Sequence, residues 1–207
     1  MKHPIEIFAA LGQRLASFGQ EATTRSLMAE AIAQNPWFTN DDIVRAIRAI
    51  GCDMLHPAEL ERWASHYTPA TAPQRVAVIM AGNLPLVGFF DLMCVLFAGH
   101  ECYYKPSSKD SLLMNYIVEE LRAIEPQIAL HAFDPTADYD MLIATGGDEA
   151  VRHFDTHYPT TRRLLRGSRH SVAVLSGNES VEELHALTND ITAYSGLGCR
   201  SVSLLFV

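Results

Sequence analysis

Apolar residues along this chain change their spacing near residue 75, and the change separates a helical part from a part in which strands and helices alternate. Over the first 70 residues, Ile5, Phe8, Leu11, Leu15 and Phe18 recur at intervals of three or four, the period of one helix face. A further helix is predicted over 43–50: residues 35–42 supply an N-cap and early acidic groups that complement the helix dipole, and Gly51 ends the run. Residues 57–67 read as another helix, with Trp63 as a packing anchor, and the Pro- and Thr-containing stretch 68–73 reads as a linker.

From Arg75 onward, short β-rich runs at 76–80, 101–104, 128–133, 141–144 and 171–175 alternate with longer stretches at 86–98, 111–124 and 148–157. The stretches are long enough for crossover helices, so the pattern predicts an α/β fold with a Rossmann-like, mainly parallel sheet and ligands at its strand ends. A last strand is predicted over 201–207 with no turn or polar terminus to close it, so the expectation is a truncated chain, with part of the protein lying beyond Val207.

Composition narrows the classes of partner. A chain of 207 residues with 48% hydrophobic content can bury a substantial core. Its formal net charge of -8 argues against a broad electrostatic surface for nucleic acid. The most apolar stretch, 84–98, is broken by Asp91 and falls short of the roughly 20 residues that span a bilayer, so a buried helix is predicted and no membrane span. The first residues lack the apolar core and small-residue cleavage site of a secretory signal, and a cytoplasmic location is expected.

Candidate chemistry begins with the cysteines. Cys52, Cys94 and Cys102 show no paired ligand spacing and read as ordinary buried thiols. Cys199 differs: it lies between the glycine turn at Gly196 and Gly198 and an apolar strand, with Arg200 beside it to favour the thiolate. It is the candidate nucleophile. His153 and His157 are four residues apart, but two imidazoles without a third ligand read as a solvated helix face rather than a zinc site.

Three strand-to-helix junctions add candidates. In the first, Gly82, Asn83 and Pro85 follow a strand; Asn83 could donate to a developing oxyanion or simply form a turn or cap. In the second, Lys105 ends a strand ahead of Ser107 and Ser108. The ammonium could hold a ribose hydroxyl or a phosphate, or be a solvated lysine before a serine cap. In the third, Gly146 and Gly147 open a helix whose unpaired N–H groups could face a pyrophosphate, although Asp148 and Glu149 would repel it unless they point away. Neither G-x-G-x-x-G nor a P-loop is present.

In this order the junctions resemble the aldehyde dehydrogenase superfamily, whose pattern runs Asn-x-Pro, Lys-Pro, a Thr-Gly-Ser-like turn and then the nucleophilic cysteine. The wording around Asn83, Thr145–Gly147 and Gly196–Ser203 is similar to its long-chain acyl-CoA reductase branch, related to the reductase of luminous bacteria. The resemblance covers residues 75–207, and the helical N-terminal segment matches less specifically. It implies a cofactor-binding domain over 71–163 after a helical segment over 1–70, with 164–207 as the start of an incomplete catalytic domain.

Carried over residue by residue, the resemblance makes Cys199 the acyl-accepting nucleophile and Asn83 an oxyanion donor, assisted by the Cys199 backbone N–H. Lys105 would contact the adenosine ribose, and Gly146 and Gly147 would lie near the cofactor phosphates. Ser108 stands where NAD-preferring relatives carry a ribose-binding glutamate; its loss removes repulsion against a 2'-phosphate, so NADP(H) is favoured over NAD(H). The family's Glu-Leu-Gly-Gly-Lys segment corresponds to 165–169, where Leu165 replaces the glutamate that activates a deacylating water. The resemblance therefore implies reduction of a fatty acyl-CoA to an aldehyde through an acyl-cysteine. It also implies an acyl-transferring or acyl-activating partner enzyme and a homo-oligomer when full length. The alternatives are an inactive nucleotide-binding or interaction module, or a reductase of another acyl donor such as an acyl phosphate.

Overall fold

Strand β1 (Arg75–Ile79) organises the protein, because its side chains alternate between two hydrophobic layers. Val76 and Val78 enter a large cluster on one side, and Ala77 and Ile79 enter a smaller one on the other. The computed structural model describes residues 2–207. Around β1 lie β2 (Glu101–Lys105), β3 (Leu130–Ala132), β4 (Met141–Thr145) and β5 (Arg162–Arg166), in the order β3-β2-β1-β4-β5 with every pair parallel. This is the doubly wound α/β sheet that the strand spacing predicts.

β4 repeats the alternation, with Ile143 in the large cluster and Leu142 and Ala144 in the small one. Strands buried on both faces read as continuous apolar runs, which is why β1 and β4 were legible. The large layer holds α5 (Phe89–Phe97) and α6 (Ser111–Ile124) from the crossovers and the N-terminal helices α1 (Pro4–Leu15), α2 (Ala22–Gln34), α3 (Asn40–Arg48) and α4 (Pro57–Ala64). Phe8 of α1 stacks on Phe97 of α5 with ring centroids 5.2 Å apart, which joins the helical segment to the sheet layer. On the opposite face, α7 (Asp148–His157) sets Phe154 against the small cluster.

Three local expectations are corrected. The α3 helix, capped by the Thr39 hydroxyl on the Asp42 N–H, does not stop at Gly51 but runs into a π-helical turn, Ala49–Met54. Gly51 is needed there for a crossing with α1: a Cβ on it would lie 3.1 Å from Leu15 Cβ, and one on Gly12 would lie 3.0 Å from the Gly51 carbonyl. The helix predicted over 57–67 ends at Ala64. Cys52 is exposed on the π turn rather than buried, Cys94 is half-buried, and Cys102 is buried as expected.

β5 lacks a strand pattern in the sequence, because three arginines surround its two leucines and it lies at the sheet edge. A second, two-stranded parallel sheet follows, β6 (Ser171–Val174) and β7 (Val202–Phe206), connected through α8 (Val181–Thr192). Among the described residues no helix is long and apolar enough to cross a membrane.

Candidate functional site

The strand order reverses between β1 and β4, since the chain leaves β1 toward β2 and returns from β3 to β4 on the other side. The carboxyl ends of these two strands therefore diverge around a crevice, the place where open α/β sheets bind ligands. The turn carrying Asn83 leaves β1 there, and Gly146 and Gly147 leave β4 there.

The Asn83 turn is held closely to the loop after β2. The Met80 N–H donates to the Lys105 carbonyl at 2.9 Å, and a Cβ on Gly82 would lie 2.5 Å from Ser107 Oγ. The Asn35 amide donates to the Gly82 carbonyl at 3.2 Å, which brings the end of α2 to the same turn. Leu86 has a left-handed backbone, φ 58°, and donates its N–H to Asp110 Oδ2 at 2.7 Å.

Cys199 comes from the other direction. α8 begins with a reciprocal capping box between Ser180 and Glu183 and ends in a turn where Tyr194, Ser195 and Gly196 are all left-handed, with φ of 53°, 56° and 71°. Two non-glycine residues in that region store strain of about 1–3 kcal/mol each, and such strain persists only where surrounding contacts over-determine it. Some of those contacts are visible: the Arg45 guanidinium lies 5.6 Å from the centroid of the Tyr194 ring, and Ser171 Oγ donates to the Cys199 carbonyl at 2.9 Å. Burial also pushes the Tyr194 phenol up from its ordinary value.

The two loops meet. Asn83 Nδ2 donates to the Leu197 carbonyl at 2.7 Å, and a Cβ on Gly198 would lie 3.5 Å from Leu84 Cδ1. An asparagine amide carries two N–H donors, and the Leu197 bond uses one, leaving a second for a ligand. Cys199 itself is exposed. The nucleophile candidate and the oxyanion candidate thus lie on interlocked loops, although they are 116 positions apart in the chain.

A cleft of about 520 Å³ opens beside the strand ends, lined by Lys105, Phe133, Pro135, Glu149, Ala150, His153, Phe154 and Tyr158. An ammonium at the rim of an aromatic-walled cleft suits a nucleoside. Gly147 caps α7 at its edge, with nothing within 4 Å of where a Cβ would be, so a phosphate could approach the backbone there. Asp148 does turn aside: its carboxylate accepts from the Ser168 N–H at 2.9 Å, a bond that lowers its pKa, whereas Glu149 remains on the cleft wall. Ser108 is exposed on the loop after Lys105 and stands outside the cleft lining. The His153 and His157 rings lie 4.0 Å apart on α7, both side chains exposed and His153 on the cleft wall, and no group of three or more metal-ligating side chains occurs among the described residues.

Sequence reasoning missed Asp110, Arg45 and Tyr194, whose parts in this arrangement depend on contacts between distant segments. It also missed Arg166 at the end of β5, which pairs with Asp91 at 2.6 Å and whose carbonyl accepts from the Gly146 N–H at 3.1 Å.

The profile of a family described as acyl-CoA reductase (LuxC) matches residues 34–207. A long-chain acyl-protein thioester reductase of Aliivibrio fischeri is 26% identical over 148 residues, 62% of this chain and 31% of that protein. The long-chain acyl-protein thioester reductase 2 of Photobacterium leiognathi is 23% identical over 158 residues, 68% of this chain and 33% of that one. The chain thus spans about a third of the length of these relatives. Among solved structures, a Mycobacterium tuberculosis aldehyde dehydrogenase complexed with NAD+ superposes with a TM-score of 0.70 at 18% identity, covering 99% of this chain and 47% of that one. Aldehyde dehydrogenase 21 from Physcomitrella patens gives 0.74 at 13% identity, covering 98% and 47%. At these identities the superpositions establish the fold, that of the aldehyde dehydrogenases.

Proposed function

Since the chain belongs to the acyl-CoA reductase (LuxC) family, we propose that it carries the nucleophile and the cofactor-binding half of an enzyme that reduces a fatty acyl thioester to an aldehyde. The observation that carries this reading is the 2.7 Å bond from Asn83 to the Leu197 carbonyl, which joins a side-chain amide to the loop that presents an exposed cysteine. Residues 71–163 serve in this reading as the cofactor-binding domain and 164–207 as the start of the catalytic domain.

The Cys199 thiolate attacks the thioester carbonyl, and the second N–H of Asn83, with the Cys199 backbone N–H, receives the negative charge on the carbonyl oxygen. Collapse expels the departing thiolate and leaves the acyl group on Cys199. When bound, a nicotinamide cofactor would supply the hydride for reduction of this acyl group. The same donors then hold the oxyanion of the thiohemiacetal, which releases the aldehyde and returns the Cys199 thiolate. By the resemblance, Leu165 stands where the family carries the carboxylate that activates a deacylating water, so this position supplies no such base and reduction is favoured over hydrolysis.

The residues at the strand ends fit such a cofactor. In this reading Lys105 meets the ribose and Gly146 and Gly147 the phosphates; the exposed ammonium beside an aromatic-walled cleft and the open space at Gly147 support it. Ser108 adds no carboxylate near the ribose, which favours NADP(H) over NAD(H). The acyl donor is read as a fatty acyl-CoA. The names of the Photobacterium and Aliivibrio relatives favour a second donor, an acyl thioester carried on a protein, which would come from an acyl-transferring partner.

The test is the intact mass of the purified protein after incubation with a long-chain acyl-CoA, beside Cys199→Ala. An acyl adduct on the wild type alone is expected. An adduct only when a protein-bound acyl thioester is supplied would favour the second donor, and no adduct with either would leave the chain a nucleotide-binding or interaction module.

A further inference from the structure

Asp110 is a buried acid for which the proposed chemistry has no use. It is 2% exposed, and one oxygen, Oδ1, has no hydrogen-bond partner among the described residues. It occupies the N-cap position of α6, where a carboxylate ordinarily accepts from the first N–H groups of its helix, yet its side chain makes no such bond. Its other oxygen reaches across to the N–H of Leu86, 24 residues earlier in the chain, at 2.7 Å. A group that gives up both solvent and its own cap for one backbone donor is poorly explained by stability alone.

The place it holds is informative. Leu86 is a non-glycine residue with φ 58°, three residues after Asn83, so the turn does not rest in an ordinary backbone basin. A charged acceptor binds a backbone N–H about twice as strongly as a neutral one, which suits a strained donor. The turn so fixed carries Asn83, whose amide holds the Leu197 carbonyl two residues before Cys199. The chain of contacts from Asp110 to Leu86, along the turn to Asn83 and across to Leu197 is continuous.

We propose that Asp110 is a positioning residue for the acyl-transfer site: its carboxylate fixes the Asn83 turn and, through the Asn83–Leu197 bond, the loop that presents Cys199. The inference rests on the reading of Cys199 and Asn83 given above. Asp110 touches no reacting atom. Its retention in the protein's interior follows the common pattern in which a site is kept aligned by a group that does not favour the fold.

The experiment compares wild type, Asp110→Asn and Asn83→Ala at pH 8, using amide hydrogen exchange of residues 194–200, thermal denaturation and acyl-adduct formation on the same preparations. Asp110→Asn keeps the shape and a neutral acceptor. It is expected to melt within a few degrees of wild type, to raise exchange of 194–200 several-fold as Asn83→Ala does, and to slow acylation about tenfold. Unchanged exchange in Asp110→Asn, with Asn83→Ala raising it, overturns the proposal. A large fall in melting temperature for Asp110→Asn also overturns it, since Asp110 would then be a structural prop. Failure of the wild type to form any adduct would defeat the acyl-transfer reading separately, and the exchange data would still decide whether Asp110 sets the loop.

Discussion

The Asp110→Asn substitution also makes a quantitative prediction about stability that is independent of any substrate. Burial pushes the Asp110 carboxyl up from an ordinary 3.8 to about 7, opposed in part by the Leu86 N–H. Between those values the unfolded chain has released the proton and the folded chain keeps it, so the native state binds more protons and stability falls as pH rises. The stabilising contribution of the protonated form is complete below pH 4 and gone above pH 7. A pKa difference of roughly three, at about 1.4 kcal/mol for each, gives a ceiling of about 4 kcal/mol. Asparagine cannot titrate, so the stability of Asp110→Asn relative to wild type should improve by up to about 4 kcal/mol between pH 4 and pH 8. Urea denaturation of both proteins across this range, followed by the fluorescence of Trp37 and Trp63, measures the difference, and every other titrating group common to the two cancels. A difference that stays flat from pH 4 to pH 8 would refute the argument, whatever its absolute value, because a fixed packing change has no slope.

Three other substitutions probe the site and its support. Asn83→Ala removes both the Leu197 bond and the proposed oxyanion donor, and acylation of Cys199 measured by stopped intact-mass time courses should slow by about 10²- to 10³-fold. Gly82→Ala places a Cβ 2.5 Å from Ser107 Oγ and 2.6 Å from Ser107 Cβ, so the two loops must part; thermal denaturation should show a loss of about 1–3 kcal/mol. Lys105→Ala removes the cation from the cleft rim, and calorimetric titration with NADPH should show affinity about tenfold weaker with the melting temperature unchanged, the lysine being exposed.

What the sequence revealed and what it concealed follow from the range of the forces involved. β1 and β4 were legible because both of their faces are buried, and the crossover helices 111–124 and 148–157 because their apolar period is local. β5 was not, since its arginines are solvated or paired, Arg163 with Asp155 and Arg166 with Asp91, and an edge strand tolerates them. Gly51 carries the signature of a helix stop because glycine ends helices, whereas its reason is the close crossing with Gly12 of α1. The candidates Asn83, Lys105, the Gly146–Gly147 pair and Cys199 stand out by their order along the chain, and the structure joins two of their loops through the Asn83–Leu197 bond. Asp110 carries no such signal, because its bond to Leu86 exists only once the fold brings the start of α6 against the Asn83 turn. The same holds for Arg45, which meets Tyr194 across 149 positions.

The two loops that meet at Leu197 are unequal in what carries them. Asn83 hangs from β1, a strand flanked by neighbours on both sides and covered above and below. Cys199 lies between α8, which has no buried residue, and β7, whose Leu204, Leu205 and Phe206 are exposed, in a sheet of two strands. Local opening is easiest where few apolar contacts are buried. Within residues 2–207 the Asn83 side of this junction is therefore the more deeply anchored one, and the Leu197 carbonyl is tied back to it by the Asn83 amide.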